Sequence, residues 1–266
     1  MKSKRGTMRV SEFMSRNPLV VEPEMNLLEA LDEMAHRDVW SPVVLSKEGK
    51  VLGFVTERDL INYVMSQKAP PEQFRVSDVM TRRYGVVKPY DSYLEAATTM
   101  MKAKARLVVL ERDELVGVVT AADITKAYAV SSTRPIPLRP YATWKLVSVS
   151  LSESVERAIE LMRRERVGSL IVEDEGVPVG IFTERDAVKG FLTSGGDYCD
   201  PIGKYTTFKL ITVDSEASLL DAAKLMAENR VKRLPITQEG AIKGIITARD
   251  VVEGIWREST LSIVTP

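Results

Sequence analysis

The chain has 266 residues, of which 44% are hydrophobic and 28% are charged, and this length accommodates about two domains. Lys plus Arg and Asp plus Glu both number 37, so the net charge is zero, and a strongly basic DNA-coating protein is excluded. One cysteine, Cys199, and one histidine, His36, cannot supply an internal disulfide or a structural zinc site. The apolar runs fall far short of the ~20 residues that a membrane span needs. We therefore expect a cytoplasmic protein without a membrane span or a secretory signal.

The predicted elements recur in one order along the chain. A short β-prone stretch comes first, as at residues 19–21, and an amphipathic helix follows it, as at 27–34. Two further strands are predicted at 42–45 and 51–55, and a last helix begins at Thr56. The unit is therefore strand, helix, strand, strand, helix, and the predicted fold class is α/β (α+β).

A motif of glycine, two apolar residues, threonine, any two residues and aspartate closes each unit. The motif threonines are 64, 63 and 64 positions apart, so four units fill nearly the whole chain. Units 1 and 3 share Thr-Glu-Arg-Asp, whereas units 2 and 4 share Thr-Ala-x-Asp, which indicates that a pair of units was duplicated. The predicted repeats are 8–66, 74–130, 141–194 and 200–258, with an inter-module linker at 131–140, where Pro and Ser disfavour helix and strand.

A unit of this length, with a Leu-x-Glu-Ala helix start as at 27–30 and a Gly-x-x-Thr-x-x-Asp end, resembles the CBS (cystathionine beta-synthase) domain. The resemblance covers essentially the whole chain. It implies two tandem pairs, called Bateman modules, in a disc-like pseudo-symmetric assembly similar to the gamma subunit of AMP-activated protein kinase. It also implies that clefts between paired repeats bind AMP, ADP, ATP or S-adenosylmethionine, that the role is regulatory, and that no metal is required.

The motif threonine lies where a strand turns into a helix, so its hydroxyl and the first backbone N–H groups are expected to face one anion site. The aspartate lies one helical turn further on, where its two oxygens can accept both hydroxyls of a ribose. The resemblance implies nucleotide contacts for every member of these pairs: Thr56, Asp59, Thr120, Asp123, Thr183, Asp186, Thr247 and Asp250. It places the base on apolar residues of the first strands: Val20, Val86, Val147 and Ile211. The alternative is a helix capping box without any ligand, although such boxes favour Glu or Gln over Asp at this position.

A bound nucleotide requires cations near its phosphates. The resemblance points to basic residues just before the strand that follows the first helix, and units 2 and 4 provide Arg106, Lys232 and Arg233 there. Each could equally be a solvated surface cation. Three arginines inside the motif are secondary candidates: Arg58, Arg185 and Arg249. Unit 2 has Ala122 at that position, so four equivalent sites are not expected.

Some other residues are interpreted as structural. The recurring Met34, Met100, Met162 and Met226 indicate core packing. His36 is expected at the surface, and Cys199 is expected to be unreactive. Trp40 could stack on a base or pack at a module interface.

The sequence favours a non-enzymatic adenine-nucleotide sensor. The first alternative is an enzyme, which the lack of a Ser-His, Cys-His or metal cluster disfavours. A second alternative is an interaction scaffold with degenerate sites. A transcription regulator is a third, although no helix-turn-helix unit or basic stripe remains for it. We expect no nucleic-acid or membrane partner, an unidentified protein as the regulated partner, and either a monomer or a homodimer.

Overall fold

The computed structural model describes residues 8–67, 69–192 and 196–264. The α-helices in this part of the chain are Val10–Phe13 (α1), Leu27–His36 (α2), Glu57–Gln67 (α3), Val76–Val79 (α4), Tyr93–Ala103 (α5), Ala121–Ser131 (α6), Val155–Glu165 (α7), Leu219–Asn229 (α8) and Ala248–Val264 (α9). A π-helix, Asp186–Leu192, replaces an α-helix in the third repeat. Short 3-10 turns lie at Pro71–Gln73, Arg139–Tyr141 and Ile202–Lys204.

The strands are short, and each repeat contributes three of them. They are Ser15–Arg16 (β1), Val20–Val21 (β2), Val43–Leu45 (β3), Val51–Phe54 (β4), Gly85–Val87 (β5), Leu107–Glu111 (β6), Glu114–Val119 (β7), Ser148–Ser150 (β8), Ser169–Asp174 (β9), Val177–Thr183 (β10), Val213–Asp214 (β11), Arg233–Gln238 (β12) and Ala241–Thr247 (β13). In every repeat the first strand pairs in parallel with the second, and the second pairs antiparallel with the third. The extra strand β1 adds to the edge of β7.

The first helix of each repeat is the crossover that a parallel strand pair requires. In α2, Asn26 is the N-cap and accepts a hydrogen bond from the Leu28 amide at 2.9 Å. Ser92, Ser154 and Ser218 cap the equivalent helices. The buried face of α2 includes Met34, and the methionines at the equivalent positions are also buried, which confirms their predicted place in the core.

The chain forms two compact units, which do not follow the order of the repeats. Unit 1 consists of Met1–Pro18, Arg83–Lys145 and Ile211–Pro266, and it therefore holds repeats 2 and 4. Unit 2 consists of Leu19–Arg82 and Leu146–Leu210, and it holds repeats 1 and 3. In unit 1, α6 packs against α8 and α9, and in unit 2, α3 packs against the π-helix. Each unit has its own hydrophobic core.

The segment at the start of each repeat packs on the other repeat of the consecutive pair. Helix α1 lies at the start of repeat 1, but the Val10 amide donates to the Asp91 carbonyl of repeat 2 at 2.7 Å. Helix α4 lies at the start of repeat 2, but the Val76 amide donates to the Met25 carbonyl of repeat 1 at 3.0 Å. The segments at the start of repeats 3 and 4 are exchanged in the same way, through the bridges Thr143–Ile245 and Ile181–Thr207. We call these four stretches, residues 9–16, 75–82, 137–144 and 201–208, the lead segments. The sequence patterns did not predict this exchange.

The predicted linker at 131–140 does not separate the two compact units. Helix α6 ends at Ser131 as the composition suggested, but the whole stretch belongs to unit 1. Ile136 and Leu138 are buried there, and the Leu219 amide donates to the Ile136 carbonyl at 2.7 Å. The stretch therefore packs on repeat 4. The grouping of consecutive repeats into separate domains stays a prediction, and the predicted end of repeat 3, residues 193–194, lies outside the described residues.

Candidate functional site

The threonine and aspartate of each motif are hydrogen-bonded to each other in the same way in all four repeats. The threonine amide donates to aspartate Oδ2, at 3.1 Å for Thr56–Asp59, 2.8 Å for Thr120–Asp123, 2.8 Å for Thr183–Asp186 and 2.7 Å for Thr247–Asp250. The threonine hydroxyl donates to the same Oδ2 at 2.6–2.7 Å. Oδ2 therefore has two donors already, and Oδ1 is the carboxylate oxygen that this box does not use.

These bonds revise the expected anion site at the helix start. The Asp250 amide donates back to Thr247 Oγ1 at 3.4 Å, and the Ala248 amide donates to the Lys232 carbonyl at 2.8 Å. In repeat 3 the Glu184 amide donates likewise to the Gly168 carbonyl at 3.1 Å. In repeats 3 and 4, most of the amides expected to bind an anion are thus satisfied within the repeat, because the strand and helix meet in a closed turn. A phosphate at this place depends mainly on side chains.

The motif glycine allows a lead segment to pass next to the turn. A Cβ on Gly53 would lie 2.0 Å from the Thr81 carbonyl oxygen, and one on Gly180 would lie 2.8 Å from that of Thr207. In unit 1, a Cβ on Gly117 would lie 3.0 Å from the Ser15 carbonyl oxygen, and one on Gly244 would lie 3.0 Å from the Thr143 carbonyl oxygen. The glycines therefore permit a close backbone approach, and the backbone that approaches belongs to the protein's own lead segment.

The lead segments bring four hydroxyl residues to the motif strands, and the sequence reasoning missed them. They are Ser15, Thr81, Thr143 and Thr207. Thr207 Oγ1 lies 3.5 Å from Asp186 Oδ1, the oxygen that the capping box does not use. The available signal was the recurrence of Met-Ser-Arg at 14–16 and Met-Thr-Arg at 80–82.

The pKa values of the motif aspartates of unit 1, Asp123 and Asp250, are raised. Burial raises the pKa of Asp123, and the hydrogen bonds from Thr120 and the nearby charge of Lys232 oppose this effect. Burial also raises the pKa of Asp250, and the neighbouring carboxylate of Glu253 adds to it. These carboxylates therefore lie in a partly desolvated place, where a new hydrogen bond is stronger than in water.

The basic candidates divide between the units. Arg106 and Arg233 are half-buried in unit 1, and Lys232 and Arg249 are exposed there. In unit 2, Arg58 Nε lies 2.7 Å from Glu184 Oε1, and Arg185 lies near enough to Asp38 to help lower its pKa. The cations nearest the two motifs of unit 2 therefore have carboxylates of the same unit as neighbours.

The remaining candidates occupy ordinary structural places. Val20 and Val86 are 41% and 45% exposed, which leaves apolar surface at the first strands, whereas Val147 and Ile211 are half-buried. His36 and Cys199 are exposed. Trp40 is buried in the core of unit 2 and donates from Nε1 to Asp38 Oδ1 at 2.9 Å, so it is a core residue.

Within the described ranges, no group of His, Cys, Asp and Glu side chains is arranged to hold a metal ion. A search of the same residues finds no helix with the length and apolar character of a membrane span. Each Thr-Asp pair acts as a helix cap, and the boxes of Asp123 and Asp250 in unit 1 use Oδ2, so Oδ1 is the acceptor that suits the recognition of a diol there.

Comparison with known proteins agrees with this repeat structure. The family model described as "CBS domain" matches residues 10–66, 76–130, 138–192 and 202–257. These matches cover most of the chain, which therefore belongs to the CBS domain family. The chain has four CBS repeats in a mixed α/β fold.

Several archaeal and bacterial proteins are similar to the chain. Protein MJ1404 of Methanocaldococcus jannaschii is 27% identical over 265 residues, which cover 92% of this chain and 61% of that protein. The CBS domain-containing protein YhcV of Bacillus subtilis is 31% identical over 124 residues, covering 46% of this chain and 89% of YhcV. A 33.4 kDa protein of Thermofilum pendens is matched over 62% of its length. The chain thus spans about three-fifths of two of these relatives.

Two solved structures show the same fold. Protein MJ1225 of M. jannaschii, described as a proposed archaeal homologue of g-AMPK, has a TM-score of 0.75 at 20% identity and covers 92% of this chain and 99% of its own. A conserved protein from Pyrococcus horikoshii has a TM-score of 0.64 at 23% identity, covering 93% and 100%. At 20% and 23% identity, this similarity shows a shared fold and no more.

Proposed function

We propose that this protein is a non-enzymatic sensor of AMP, ADP or ATP that regulates a protein partner in the cytoplasm. The main support for this proposal is that carboxylates and cations both lie at the motifs of unit 1. Asp123 and Asp250 are partly desolvated carboxylates that engage their threonines through Oδ2 alone, and Lys232 lies near Asp123. A nucleotide needs both an acceptor for its ribose and a cation for its phosphate, and unit 1 has both kinds of group.

The ribose would be held by Oδ1 of the motif aspartate. A carboxylate oxygen has two lone-pair directions, so Oδ1 can accept from both hydroxyls of a ribose while Oδ2 keeps its two donors. A bond to an ionised acceptor is stronger than one between neutral groups. This role differs from the sequence-based expectation that both oxygens bind the diol, because the capping box already uses one of them.

The phosphate would be held by cations of unit 1. Arg106 and Lys232 directly precede the second strands of repeats 2 and 4, Arg233 is the first residue of β12, and Arg249 lies at the start of α9. The hydrogen bond from the Thr125 hydroxyl to the Ala248 carbonyl, at 3.1 Å, brings the starts of α6 and α9 together. A ligand that contacts both repeats would favour one of their relative arrangements, provided that its affinity for the two arrangements differs.

A calorimetric titration tests the proposal directly. We would titrate the full chain with AMP, ADP, ATP, S-adenosylmethionine and NAD, and repeat each titration on Asp123→Asn and Asp250→Asn. We expect AMP, ADP or ATP to bind and each variant to lose at least tenfold in affinity, because a neutral amide accepts the diol less strongly than a carboxylate does. The free energy of unfolding should fall by about 1 kcal/mol, since a weakened cap costs that much.

The matched control is Asp221→Asn. Asp221 completes the capping box of Ser218 at the start of α8, with an Oδ2 contact to the Ser218 hydroxyl at 2.6 Å, but it lies outside the motif. This variant should lose similar stability and keep nucleotide affinity. The absence of binding by all of these ligands to a folded protein would overturn the sensor proposal and favour the scaffold, whose capping boxes are complete without a ligand.

A further inference from the structure

The cations near the two motifs of unit 2 are paired with carboxylates of the same unit. Arg58 Nε of repeat 1 donates to Glu184 Oε1 of repeat 3 at 2.7 Å. Lys189 Nζ of repeat 3 donates to Asp38 Oδ1 of repeat 1 at 2.9 Å. Each pair links the two repeats next to a motif helix. Two side chains that would otherwise be candidates for a phosphate are therefore already neutralised by the protein.

The Asp38 pair is held in place by a buried indole. Trp40 Nε1 donates to Asp38 Oδ1 at 2.9 Å, and the tryptophan is only 2% exposed. The hydrogen bonds from Trp40 and Lys189 lower the pKa of Asp38, with a further contribution from Arg185. Asp38 therefore stays ionised and keeps its negative charge beside the two cations of repeat 3.

Equivalent positions in unit 1 carry no acid. The residue after the motif threonine is Glu57 or Glu184 in unit 2, whereas it is Ala121 or Ala248 in unit 1. Glu57 is 7% exposed and the Glu184 side chain is 18% exposed, so both carboxylates are poorly screened by water. The left-handed residue after the first helix is Asp38 in repeat 1, whereas it is Lys104, Arg166 and Arg230 in repeats 2, 3 and 4, so repeat 1 differs from the other three by an acid at this position.

We propose that Glu57 and Glu184 are specificity-determining residues that exclude a 5′-phosphate from unit 2, so that its motifs bind an adenosyl ligand with an uncharged or cationic 5′ group. This inference rests on the proposed function, because it assumes that Asp59 and Asp186 bind a ribose. A phosphate at this place would compete with Glu184 for Arg58 and would approach the buried carboxylate of Glu57, where repulsion is little screened by water. A nucleoside avoids that repulsion, and a sulfonium compound such as S-adenosylmethionine is attracted.

A reciprocal exchange of the two residue types tests the inference. The first variant is Glu57→Ala with Glu184→Ala, and its matched counterpart is Ala121→Glu with Ala248→Glu. Each protein is titrated with adenosine, AMP and S-adenosylmethionine. Asp59→Asn with Asp186→Asn, and Asp123→Asn with Asp250→Asn, assign each binding event to a unit.

In the wild-type protein we expect adenosine or S-adenosylmethionine to bind unit 2 and AMP to bind unit 1. If unit 2 binds adenosine but not S-adenosylmethionine, its ligand has a neutral 5′ group. If unit 2 binds S-adenosylmethionine more tightly than adenosine, its ligand has a cationic 5′ group. The Glu-to-Ala variant should gain AMP affinity in unit 2 by at least tenfold. The Ala-to-Glu variant should lose at least tenfold for AMP in unit 1, while its affinity for adenosine changes by less than threefold.

Other outcomes separate this inference from the proposed function. AMP bound in unit 2 of the wild type as tightly as adenosine, or an unchanged AMP affinity in a folded Glu-to-Ala variant, would overturn the role of the glutamates. AMP bound in unit 1 with no adenosyl ligand in unit 2 would also overturn it and leave the proposed function standing. Glu57→Gln with Glu184→Gln removes the charge and keeps the volume, so it replaces the alanine variant if that protein does not fold.

Discussion

Unit 1 and unit 2 share their elements and their Thr-Asp hydrogen bonds but differ in the charges beside them. Alanines follow the motif threonines in unit 1, and glutamates follow them in unit 2. The Thr-Asp contacts differ by no more than about 0.1 Å between the hydroxyl and Oδ2. The comparison teaches that the motif builds the same turn in all four repeats, so the proposed difference in ligand between the units depends on the flanking residues.

The two units also differ in how closely the lead segments approach the motif glycines. In unit 2 a Cβ would lie 2.0 Å from the Thr81 carbonyl oxygen at Gly53, whereas in unit 1 it would lie 3.0 Å from that of Thr143 at Gly244. Real Cβ atoms do not approach backbone oxygens to the shorter distance, so unit 2 tolerates less change. The predictions below test both differences.

The largest expected effect is on stability at Gly53. Gly53→Ala should lower the free energy of unfolding by about 3 kcal/mol, because the new methyl group collides with a backbone oxygen that cannot easily move. Gly244→Ala should cost only about 1 kcal/mol, since its neighbours need to shift slightly. Denaturant unfolding of both variants gives the comparison. Equal losses would show that the lead segments approach both units with similar tightness.

The next effect concerns phosphate recognition in unit 1. Lys232→Ala should weaken AMP binding about tenfold, which is about 1.4 kcal/mol, and leave adenosine binding unchanged. Lys243→Ala is the control, because Lys243 is an exposed lysine of the same repeat. Calorimetry measures both affinities. An equal loss for AMP and adenosine in Lys232→Ala would contradict a phosphate contact.

A smaller effect is expected for the ion pair of unit 2. Arg58→Ala should lower the free energy of unfolding by less than about 1 kcal/mol, because the arginine side chain is 56% exposed and solvent weakens the pair. Glu184→Gln should have a similarly small effect. Losses well above this range in both single variants, with little further loss in the double variant, would show that the pair is essential for joining repeats 1 and 3.

The last prediction concerns the effect of pH on stability through the two motif aspartates of unit 1. Burial raises the pKa of Asp123 and of Asp250 above the ordinary value of 3.8. A raised pKa in the folded state means that the stability these groups contribute is full below pH 3.8 and is lost as the pH rises through the folded pKa values. Relative to Asp123→Asn with Asp250→Asn, the wild type should therefore lose stability over this rise in pH, as measured by unfolding at several pH values.

The ionisation of Asp123 and Asp250 should affect ligand affinity in the opposite direction to its effect on stability. Because the ionised carboxylate accepts the ribose hydroxyls, adenosine affinity in unit 1 should fall as the pH drops toward the raised pKa values. Adenosine is the appropriate probe because it has no phosphate of its own to titrate. An adenosine affinity that does not change with pH would contradict a direct role for these two carboxylates.

The sequence by itself determined the repeat and its local structure. The spacing of the motif predicted four units, and the helical period placed Met34 and its three equivalents in the core. Both features depend on contacts between residues near each other in the chain, such as the hydrogen bond from the Thr56 hydroxyl to the Asp59 carboxylate. Local contacts are encoded in short patterns, so they can be recognised without a structure.

Only the tertiary structure decided which repeats share a core and which charges meet. Arg58 and Glu184 are 126 positions apart, and no periodic pattern in the sequence joins them. The exchange of lead segments likewise depends on backbone contacts, such as Thr81 against Gly53, that leave no pattern in side-chain polarity. The sequence could name the aspartates and cations of the site, whereas the pairing of those charges required the packing of distant segments.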